Sequence, residues 1–215
     1  MHGKLSVVAT PIGNLEDITL RALRVLKEAD FVACENVANT RKLLSHFEIH
    51  TPAVSDRKAL SLLAQGKHVA LVSDAGTPNV SDPGGELVSH ARKAGATIEV
   101  VPGPSALAAA VSIAGLKAPS FVFWGFAPQK KGREKLFKEI AAEERASIVY
   151  ESPHRIMKAL DSLQKNMPER RLGLYRELTK MYEEVLIGTP QELLDILTSD
   201  PQKQRGEFVV MVEAL

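Results

Sequence analysis

The chain is poor in the residues that build several common kinds of site. It has one cysteine among its 215 residues, Cys34, so it cannot form an internal disulfide or a thiolate cage around a metal. A lone cysteine fits a reducing cytosol, and we predict that Cys34 is a small buried residue at the end of a strand. Aromatic residues make up only 5% of the chain, which argues against a platform that stacks single-stranded bases.

An excess of charge of one sign is also lacking. The 27 Lys and Arg residues nearly balance the 26 Asp and Glu residues, so any contact with nucleic acid must come from a local basic patch. No stretch of the sequence approaches about 18 apolar residues, and the first residues are too polar for the core of a signal peptide. These absences predict a cytoplasmic protein that does not cross a membrane.

Short apolar runs rich in β-branched residues alternate with segments of helical period in the first half. The runs predict buried strands at residues 5–9, 31–34, 69–73 and 98–101. The segments between them predict helices at residues 18–29, 40–47, 60–65, 86–94 and 105–114. Because strands joined by helical crossovers run parallel, the first half is predicted to be an α/β layer structure with a parallel sheet.

A second α/β domain is predicted after the alanine-rich helix. Gly115 ends the helix and Pro119 follows it, which predicts a domain boundary here, so the predicted domains are residues 1–116 and 117–215. The second domain is predicted to contain strands at 121–126, 147–150, 172–176, 184–187 and 208–212, with helices at 133–143, 155–163 and 191–197. Too few residues join the strands at 172–176 and 184–187 for a crossover helix, so this sheet should be mixed.

Three loops rich in Gly and Pro, at residues 10–14, 74–84 and 102–106, stand where a predicted strand ends and a helix begins. Ligands of open α/β sheets bind beyond the carboxyl ends of strands, so we predict that these loops form one pocket. The alternative is that their Gly and Pro residues only make turns. The chain has no nucleotide-binding P-loop or dinucleotide motif, and the middle loop has two aspartates and no Lys or Arg. A ligand with a positive centre or donor groups therefore fits better than a polyphosphate.

Other polar residues have both a structural and a functional interpretation. Ser105 lies at a strand-to-helix turn but lacks the second glycine of a nucleophile elbow, so we favour a helix cap. His46 and His50 have the spacing of a metal pair, yet no glutamate stands where a zinc protease needs one, so we interpret them as surface or packing residues. Residues 151–155 and 176–180 each follow a predicted strand, and for them the sequence leaves a cleft and the surface equally open.

Five motifs, taken in order, resemble those of one known family. They are residues 9–23, which begin ATPIGNL and end DITLRAL, 73–84 (SDAGTPNVSDPG), 102–106 (PGPSA), 150–155 (YESPHR) and 176–180 (RELTK). The chain is similar over nearly its whole length to the methyltransferases that modify the ribose 2′-hydroxyl of a cytidine in the decoding centre of 16S ribosomal RNA. That group is a branch of the tetrapyrrole-methylase superfamily. The resemblance implies two α/β domains with S-adenosylmethionine in the cleft between them, a homodimer, and 16S ribosomal RNA or the small ribosomal subunit as partner.

The resemblance also implies a set of site residues. The cofactor would contact Ile12, Gly13, Asp74, Ala75, Gly76, Thr77, Val80, Ser105 and Ala106, together with Tyr150 or Glu151 and Leu178. A ribose hydroxyl is a weak acid, so a base or a cation must assist its attack on the methyl group. The candidates for that role are Glu151, His154 and Lys180, which the sequence does not rank. The RNA-facing cations would be Arg41, Lys42, Arg155 and the stretch of Lys130, Lys131, Arg133 and Lys135.

The chain departs from the family pattern at the second strand and beyond it. Where the family has Glu-Asp-Thr-Arg-x-Thr, residues 35–40 read ENVANT and lose a carboxylate, a hydroxyl and a guanidinium. A short polar stretch between Ser55 and Asp56 is missing, and the sequence has no counterpart of the C-terminal extension of many relatives. Because of Asn36, Val37 and Ala38, one alternative function is a cofactor-binding or ribosome-associated protein that has lost catalysis. The other is methylation of a tetrapyrrole carbon, which the YESPHR motif disfavours.

Overall fold

The computed structural model describes residues 3–82, 84–116 and 118–215, which form two compact units. The units are Met1–Ser105 and Ala106–Leu215, whereas the sequence predicts the boundary between residues 116 and 117. The earlier boundary arises because the alanine-rich helix Ala106–Ile113 contacts the last strand of the second unit. Pro83 in the middle glycine-rich loop and Lys117 at the predicted boundary lie outside the described residues.

Five parallel strands form the sheet of the first unit. They are β1 (Lys4–Val8), β2 (Phe31–Cys34), β3 (Ala53–Ser55), β4 (His68–Leu71) and β5 (Thr97–Val101), in the order β3-β2-β4-β1-β5. Pairing is parallel throughout, and Ser6 on the central β1 pairs with Ala70 on one side and Glu99 on the other. The predicted parallel α/β layer is therefore confirmed. The sequence misses only β3, since three residues are too few to show a period.

Four helices cover the two faces of this sheet. They are α1 (Leu20–Glu28), α2 (Val37–His46), α3 (Asp56–Ala64) and α4 (Gly85–Lys93). Thr19 caps α1 by accepting a hydrogen bond from the Ala22 backbone N–H, and Val25 and Leu26 are buried toward the sheet. One apolar core lies beneath α1 and α2, and another lies beneath α3 and α4. Because helices cover both faces of the inner strands, ligands reach those strands at their ends. The edge strand β5 leaves Val100 64% exposed, so the sequence prediction of a buried strand at 98–101 is wrong there.

The second unit has a mixed sheet. Its strands are β6 (Phe121–Phe126), β7 (Ala146–Glu151), β8 (Leu172–Arg176), β9 (Glu184–Gly188) and β10 (Phe208–Val212), in the order β6-β7-β10-β8-β9. β6 and β7 are parallel, β10 is antiparallel to both β7 and β8, and β8 is antiparallel to β9. The mixed sheet predicted from the short connection between β8 and β9 is confirmed.

The helices of the second unit are α5 (Ala106–Ile113), α6 (Arg133–Ala142), α7 (Ile156–Asn166) and α8 (Pro190–Ser199). Phe137 of α6, Leu163 of α7 and Leu193 of α8 are fully buried in one core against the sheet. On the sheet itself, the indole N–H of Trp124 donates to the Ser147 hydroxyl at 3.1 Å. No helix in the described part of the chain is long and apolar enough to cross a membrane.

Three strands of the second unit end at the same edge of their sheet. Since β10 is antiparallel to both β7 and β8, those two strands run in one direction, and β6 is parallel to β7. Phe208 pairs with both Glu151 and Arg176, so the ends of β7 and β8 lie in one row. The chain segments that follow β6, β7 and β8 therefore leave the sheet together, and we call this the loop edge of the second unit.

Candidate active site

Hydrogen bonds tie the three glycine- and proline-rich loops together at the carboxyl edge of the first sheet. Thr10 and Gly76 form an isolated antiparallel bridge, with N···O distances of 2.9 and 3.0 Å. The Thr77 hydroxyl donates to the Pro104 carbonyl oxygen at 2.9 Å. The loops that follow β1, β4 and β5 are thus in direct contact, which is the arrangement that a single pocket requires.

Gly76 lies where these loops pack most closely. Its φ of 80° is in the left-handed region that favours glycine. A Cβ atom built on it would lie 3.1 Å from Ile12 Cγ2, closer than ordinary van der Waals contact. Asn79 and Ser81 in the same loop also have positive φ values, 71° and 64°. Backbone held in such conformations clusters at ligand-binding sites.

The side chains predicted to bind the cofactor leave this edge accessible. Within the first unit, Gly13, Asp74 and Ala75 are exposed, Gly76 is buried, and Ile12, Thr77, Val80 and Ser105 are half-buried. The Asp74 carboxylate accepts a hydrogen bond from Asn39 Nδ2 at 3.1 Å. The edge therefore presents a carboxylate and closely packed backbone, and its middle loop contributes no basic residue.

The amino end of α2 keeps its cap despite the departure from the family pattern. Asn36 Oδ1 accepts hydrogen bonds from the backbone N–H groups of Ala38 and Asn39, at 3.1 and 3.2 Å, as an aspartate oxygen would. The Asn39 side chain then reaches Asp74. The lost carboxylate is thus replaced in its structural role, whereas Ala38 provides no substitute for the lost guanidinium.

Two exposed basic residues lie further along α2, and the neighbouring strand β3 lacks a following loop. Arg41 and Lys42 are both exposed on α2. β3 runs directly into α3, with Ser55 as the last residue of the strand and Asp56 as the first residue of the helix. The missing polar stretch therefore leaves no loop after this strand.

The histidines and the cysteine of the first unit have structural surroundings. His46 and His50 are exposed, and the His46 ring packs edge-on against Phe47 with centroids 4.8 Å apart. Among the described residues, no group of three or more His, Cys, Asp or Glu could hold a metal ion. Cys34 is fully buried at the end of β2, its thiol donates to the Val54 carbonyl oxygen at 3.5 Å, and burial raises its pKa.

At the loop edge of the second unit, Glu151 is enclosed by donors. Its side chain is fully buried, with one oxygen 2.8 Å from Arg133 Nη2. The other oxygen lies 2.8 Å from Arg155 Nε and 2.8 Å from the Ser152 backbone nitrogen. Because the Glu151 side chain is fully buried and both of its oxygens are already bound by donors, it is poorly placed to contact a substrate hydroxyl.

The two arginines are turned toward the protein. Arg133 is only 9% exposed, so the prediction that it faces RNA is wrong: its guanidinium is needed by Glu151 and stacks over Phe137. The Arg155 side chain is 20% exposed, and it also donates to Ser152 Oγ at 3.0 Å and to the Ala127 carbonyl oxygen at 3.1 Å. Its contact with RNA stays a prediction. The flanking Lys130, Lys131 and Lys135 are exposed.

The other candidates for acid–base work differ in their surroundings. The His154 side chain is exposed. Lys180 Nζ lies 2.9 Å from oxygens of both Glu177 and Glu207. Burial by itself lowers the pKa of Lys180, but the hydrogen bonds to these two carboxylates outweigh it and raise the pKa above the ordinary value. Lys180 is therefore a cation at neutral pH and cannot serve as a base in this state.

Two more predicted cofactor residues of the second unit lie in constrained surroundings. The Tyr150 hydroxyl accepts a hydrogen bond at 2.9 Å from the backbone N–H of Leu107, which follows Ala106 in the first turn of α5. Leu178 is buried between Glu177 and Thr179, whose φ values are 52° and 67°. Thr179 Oγ1 is buried and has no hydrogen-bond partner among the described residues. Strained backbone thus marks the loop after β8 as it marks the loop after β4.

Comparison with known proteins identifies the family. The family described as Tetrapyrrole (Corrin/Porphyrin) Methylases matches residues 4–194. This chain belongs to the tetrapyrrole methylase family. Several relatives named ribosomal RNA small subunit methyltransferase I are similar to it over almost the whole of this chain, and two of them over almost their own full length. The protein of Coprothermobacter proteolyticus is 44% identical over 216 residues, covering 96% of this chain and 95% of the relative. That of Thermotoga maritima is 39% identical over 219 residues, covering 98% of each chain.

Solved structures of other methylases share the fold at lower identity. Uroporphyrin-III-C-methyltransferase from Thermus thermophilus has a TM-score of 0.68 at 23% identity and covers 98% of this chain and 94% of that chain. Cobalt precorrin-4 methyltransferase has a TM-score of 0.70 at 18% identity with the same coverage. These likenesses confirm the predicted tetrapyrrole-methylase fold.

Three residues of this methylase that contact the predicted site were missed or misassigned from the sequence. Asn39 holds Asp74, Glu207 holds Lys180, and Arg133 holds Glu151. Each partner lies 18 or more positions away along the chain, and no local spacing signals such a pair. The only sequence signal for the pairing of Arg133 with Glu151 is the run of charged residues after β6, and such a run predicts a solvated surface equally well.

Proposed function

We propose that this methylase transfers a methyl group from S-adenosylmethionine to the ribose 2′-hydroxyl of a cytidine in 16S ribosomal RNA. The observation that carries the proposal is the 44% identity to ribosomal RNA small subunit methyltransferase I over 96% of this chain and 95% of that relative. The two tetrapyrrole enzymes compared above are 23% and 18% identical, a level that speaks for the fold alone.

The loops of the first unit suit S-adenosylmethionine, which supplies a methyl group activated by a sulfonium cation. Asp74 is exposed, and no Lys or Arg occurs in residues 73–84, so the local charge favours a cation. Glycine at position 76 lets the backbone approach a ligand closely. The proposed contacts in this unit are Ile12, Gly13, Asp74, Ala75, Gly76, Thr77, Val80 and Ser105. Ala106, Tyr150 and Leu178 stay predictions that come from the family resemblance.

We propose His154 as the proton acceptor. Attack by the ribose hydroxyl requires removal of a weakly acidic proton. Of the three candidates, Glu151 is enclosed by donors and Lys180 is protonated, whereas the imidazole of His154 is exposed at the loop edge. Lys180 supplies positive charge near the same edge, where it would stabilise a developing alkoxide. Replacing His154 by Gln should lower the single-turnover rate by about tenfold or more without changing affinity for small subunits.

Exposed basic side chains are the proposed contacts to the RNA backbone. They are Arg41 and Lys42 in the first unit and Lys130, Lys131 and Lys135 in the second. Phosphate contacts position a protein on RNA and give binding its salt dependence. Because the net charge of the chain is only +1, these local groups have to supply the attraction.

We propose that the protein works as a homodimer in the cytoplasm. The family resemblance supports the dimer, and exposed apolar side chains such as Leu20, Val100 and Ile187 are available to an interface. The free thiol of Cys34 supports a reducing compartment. Light scattering at micromolar concentration should give twice the chain mass of 23.4 kDa, and a single-chain mass would contradict the dimer.

The decisive assay uses small subunits from cells that lack this gene. Purified protein and S-adenosylmethionine should add one methyl group per subunit, and mass spectrometry of nuclease digests should identify 2′-O-methylcytidine. Binding of S-adenosylmethionine without transfer to the subunits would contradict the proposal and favour a protein that has lost catalysis. Transfer to a tetrapyrrole and not to the subunits would favour the other branch of the family.

A further inference from the structure

A buried ionic cluster joins the loops that follow β6 and β7. Its members are Arg133, Glu151 and Arg155, whose side chains are 10%, 0% and 20% exposed. Beyond their contacts to Glu151, the two arginines bind backbone oxygens. Arg155 Nη1 donates to the Ala127 carbonyl at 3.1 Å, and Arg133 Nη1 donates to the Pro128 carbonyl at 3.2 Å.

The cluster therefore ties each loop to the other at its base. Arg133 Nη2, which bonds the Glu151 carboxylate, also lies 3.4 Å from the Arg155 carbonyl oxygen, so one guanidinium reaches both loops. Glu151 in turn accepts from the Ser152 backbone N–H at 2.8 Å, which fixes the first residue after β7. Planar guanidinium groups make such multiple contacts with a defined geometry, and a lysine ammonium does not.

Exposed groups proposed to meet the substrate sit on these same loops. Lys130 and Lys131 follow the tied Ala127 and Pro128 within three residues, and His154 lies inside the tied segment. Catalytic and binding groups must be held close to their working geometry, and an error of about 1 Å can cost about 100-fold in rate. A rigid base under both loops supplies that precision.

Stability alone is a poor reason for such a cluster. Buried ion pairs are often no more stabilising than apolar side chains of similar volume, because the desolvation of the charges offsets their attraction. Arg133 even keeps a buried Nε with no hydrogen-bond partner among the described residues. Its contacts to both loops therefore explain the cluster better than stability alone does.

We infer that Arg133, Glu151 and Arg155 are positioning residues, which hold the basic loop and the His154 loop of the second unit at a fixed spacing for the RNA substrate. This inference rests on the proposed function. Arg133→Met is the most informative change, because Glu151 stays paired with Arg155 and no buried charge is left without a partner. Arg133→Lys keeps the positive charge but loses the planar guanidinium that contacts both loops. Arg145→Met is the matched control, because it removes an exposed arginine that is paired with Glu143.

Two measurements on each variant test the inference. Trypsin should cleave after Lys130 or Lys131 about fivefold faster or more in Arg133→Met, since local opening exposes the loop, while cleavage after Arg205 in the same unit stays unchanged. The value of kcat/KM for small subunits should fall by about tenfold or more, while affinity for S-adenosylmethionine stays within about twofold. Arg133→Lys should recover only part of the loss, and Arg145→Met should behave as wild type.

Each contrary result has a distinct meaning. A variant with faster cleavage at the basic loop but normal methylation would overturn the inference, and so would a variant with slow methylation and wild-type cleavage. If Arg133→Met lost both activity and thermal stability, with faster cleavage after Arg205 too, the cluster would be a determinant of folding and the inference would be refuted. Wild-type protein that methylates no subunits would refute the proposed function, while the trypsin comparison would still decide whether the cluster holds the loops.

Discussion

Replacing Gly76 by alanine tests whether the loop after β4 binds the cofactor. Residue 76 has a φ of 80°, where an alanine costs about 1–2 kcal/mol because its Cβ crowds the following carbonyl oxygen. The new Cβ would also lie 3.1 Å from Ile12 Cγ2, so the loops would have to separate slightly. If the loop relieves this strain by leaving its binding-competent conformation, S-adenosylmethionine should bind about 5 to 30 times more weakly, the factor that corresponds to 1–2 kcal/mol.

Gly95→Ala provides a matched control. Gly95 has a φ of 79° in the turn between α4 and β5, at the amino edge of the sheet and so at the opposite end from the three loops. Urea denaturation should show a loss of about 1–2 kcal/mol in both variants, because both force alanine into the same backbone region. Calorimetry should show weaker cofactor binding only for Gly76→Ala. Equal affinities in the two variants would refute the assignment of this loop to the cofactor.

Three further predictions address other regions of the molecule. Burial and a neighbouring lysine lower the pKa of His68 below its ordinary value of 6.5. The unfolded chain therefore binds a proton at this imidazole more readily than the folded chain does. The free energy of unfolding should be highest above pH 6.5 and should decrease as the pH falls below it. His68→Gln should make this decrease smaller in denaturation curves measured from pH 7.5 to 5. Replacing Arg41 and Lys42 together by alanine should reduce the salt slope of RNA binding by about two units, and an unchanged slope would remove them from the interface. Gly173→Ala should destabilise by about 1–3 kcal/mol, because its Cβ would lie 2.8 Å from the Tyr175 ring, and wild-type stability would show that the ring can move aside.

Sequence period predicts most of this fold because its strands are either buried on both faces or bounded by clear turns. The bounds predicted for β2, β8 and β10 coincide with those of the structure. β3 escapes because its three residues are all half-buried and so show neither alternation nor a buried run. The unit boundary differs because the turn after α5 is a strong local signal, whereas the contact between α5 and β10 is a distant one that no local pattern encodes.

Some features of the candidate site can likewise be predicted from the sequence, and others cannot. The meeting of the three loops follows from strand direction, because the carboxyl ends of parallel strands share an edge. The sequence makes Glu151 a candidate base, but only the structure shows that it is buried between Arg133 and Arg155. Lys180 likewise changes from a candidate base to a fixed cation once Glu207 is seen beside it. Residue types indicate which chemistry is available, while their neighbours decide which protonation state is present.

The chromophores of the protein all belong to one unit. Trp124, which donates to Ser147 on the second sheet, is the only tryptophan, and Tyr150, Tyr175 and Tyr182 are the only tyrosines. Intrinsic fluorescence therefore observes the second unit, whereas far-ultraviolet circular dichroism observes both. Unfolding transitions that differ between the two signals would show that the units melt separately. The glycine-rich loops contain no tryptophan or tyrosine, so they give no fluorescence signal of their own. Any change of tryptophan emission on addition of S-adenosylmethionine would therefore report a response of the second unit.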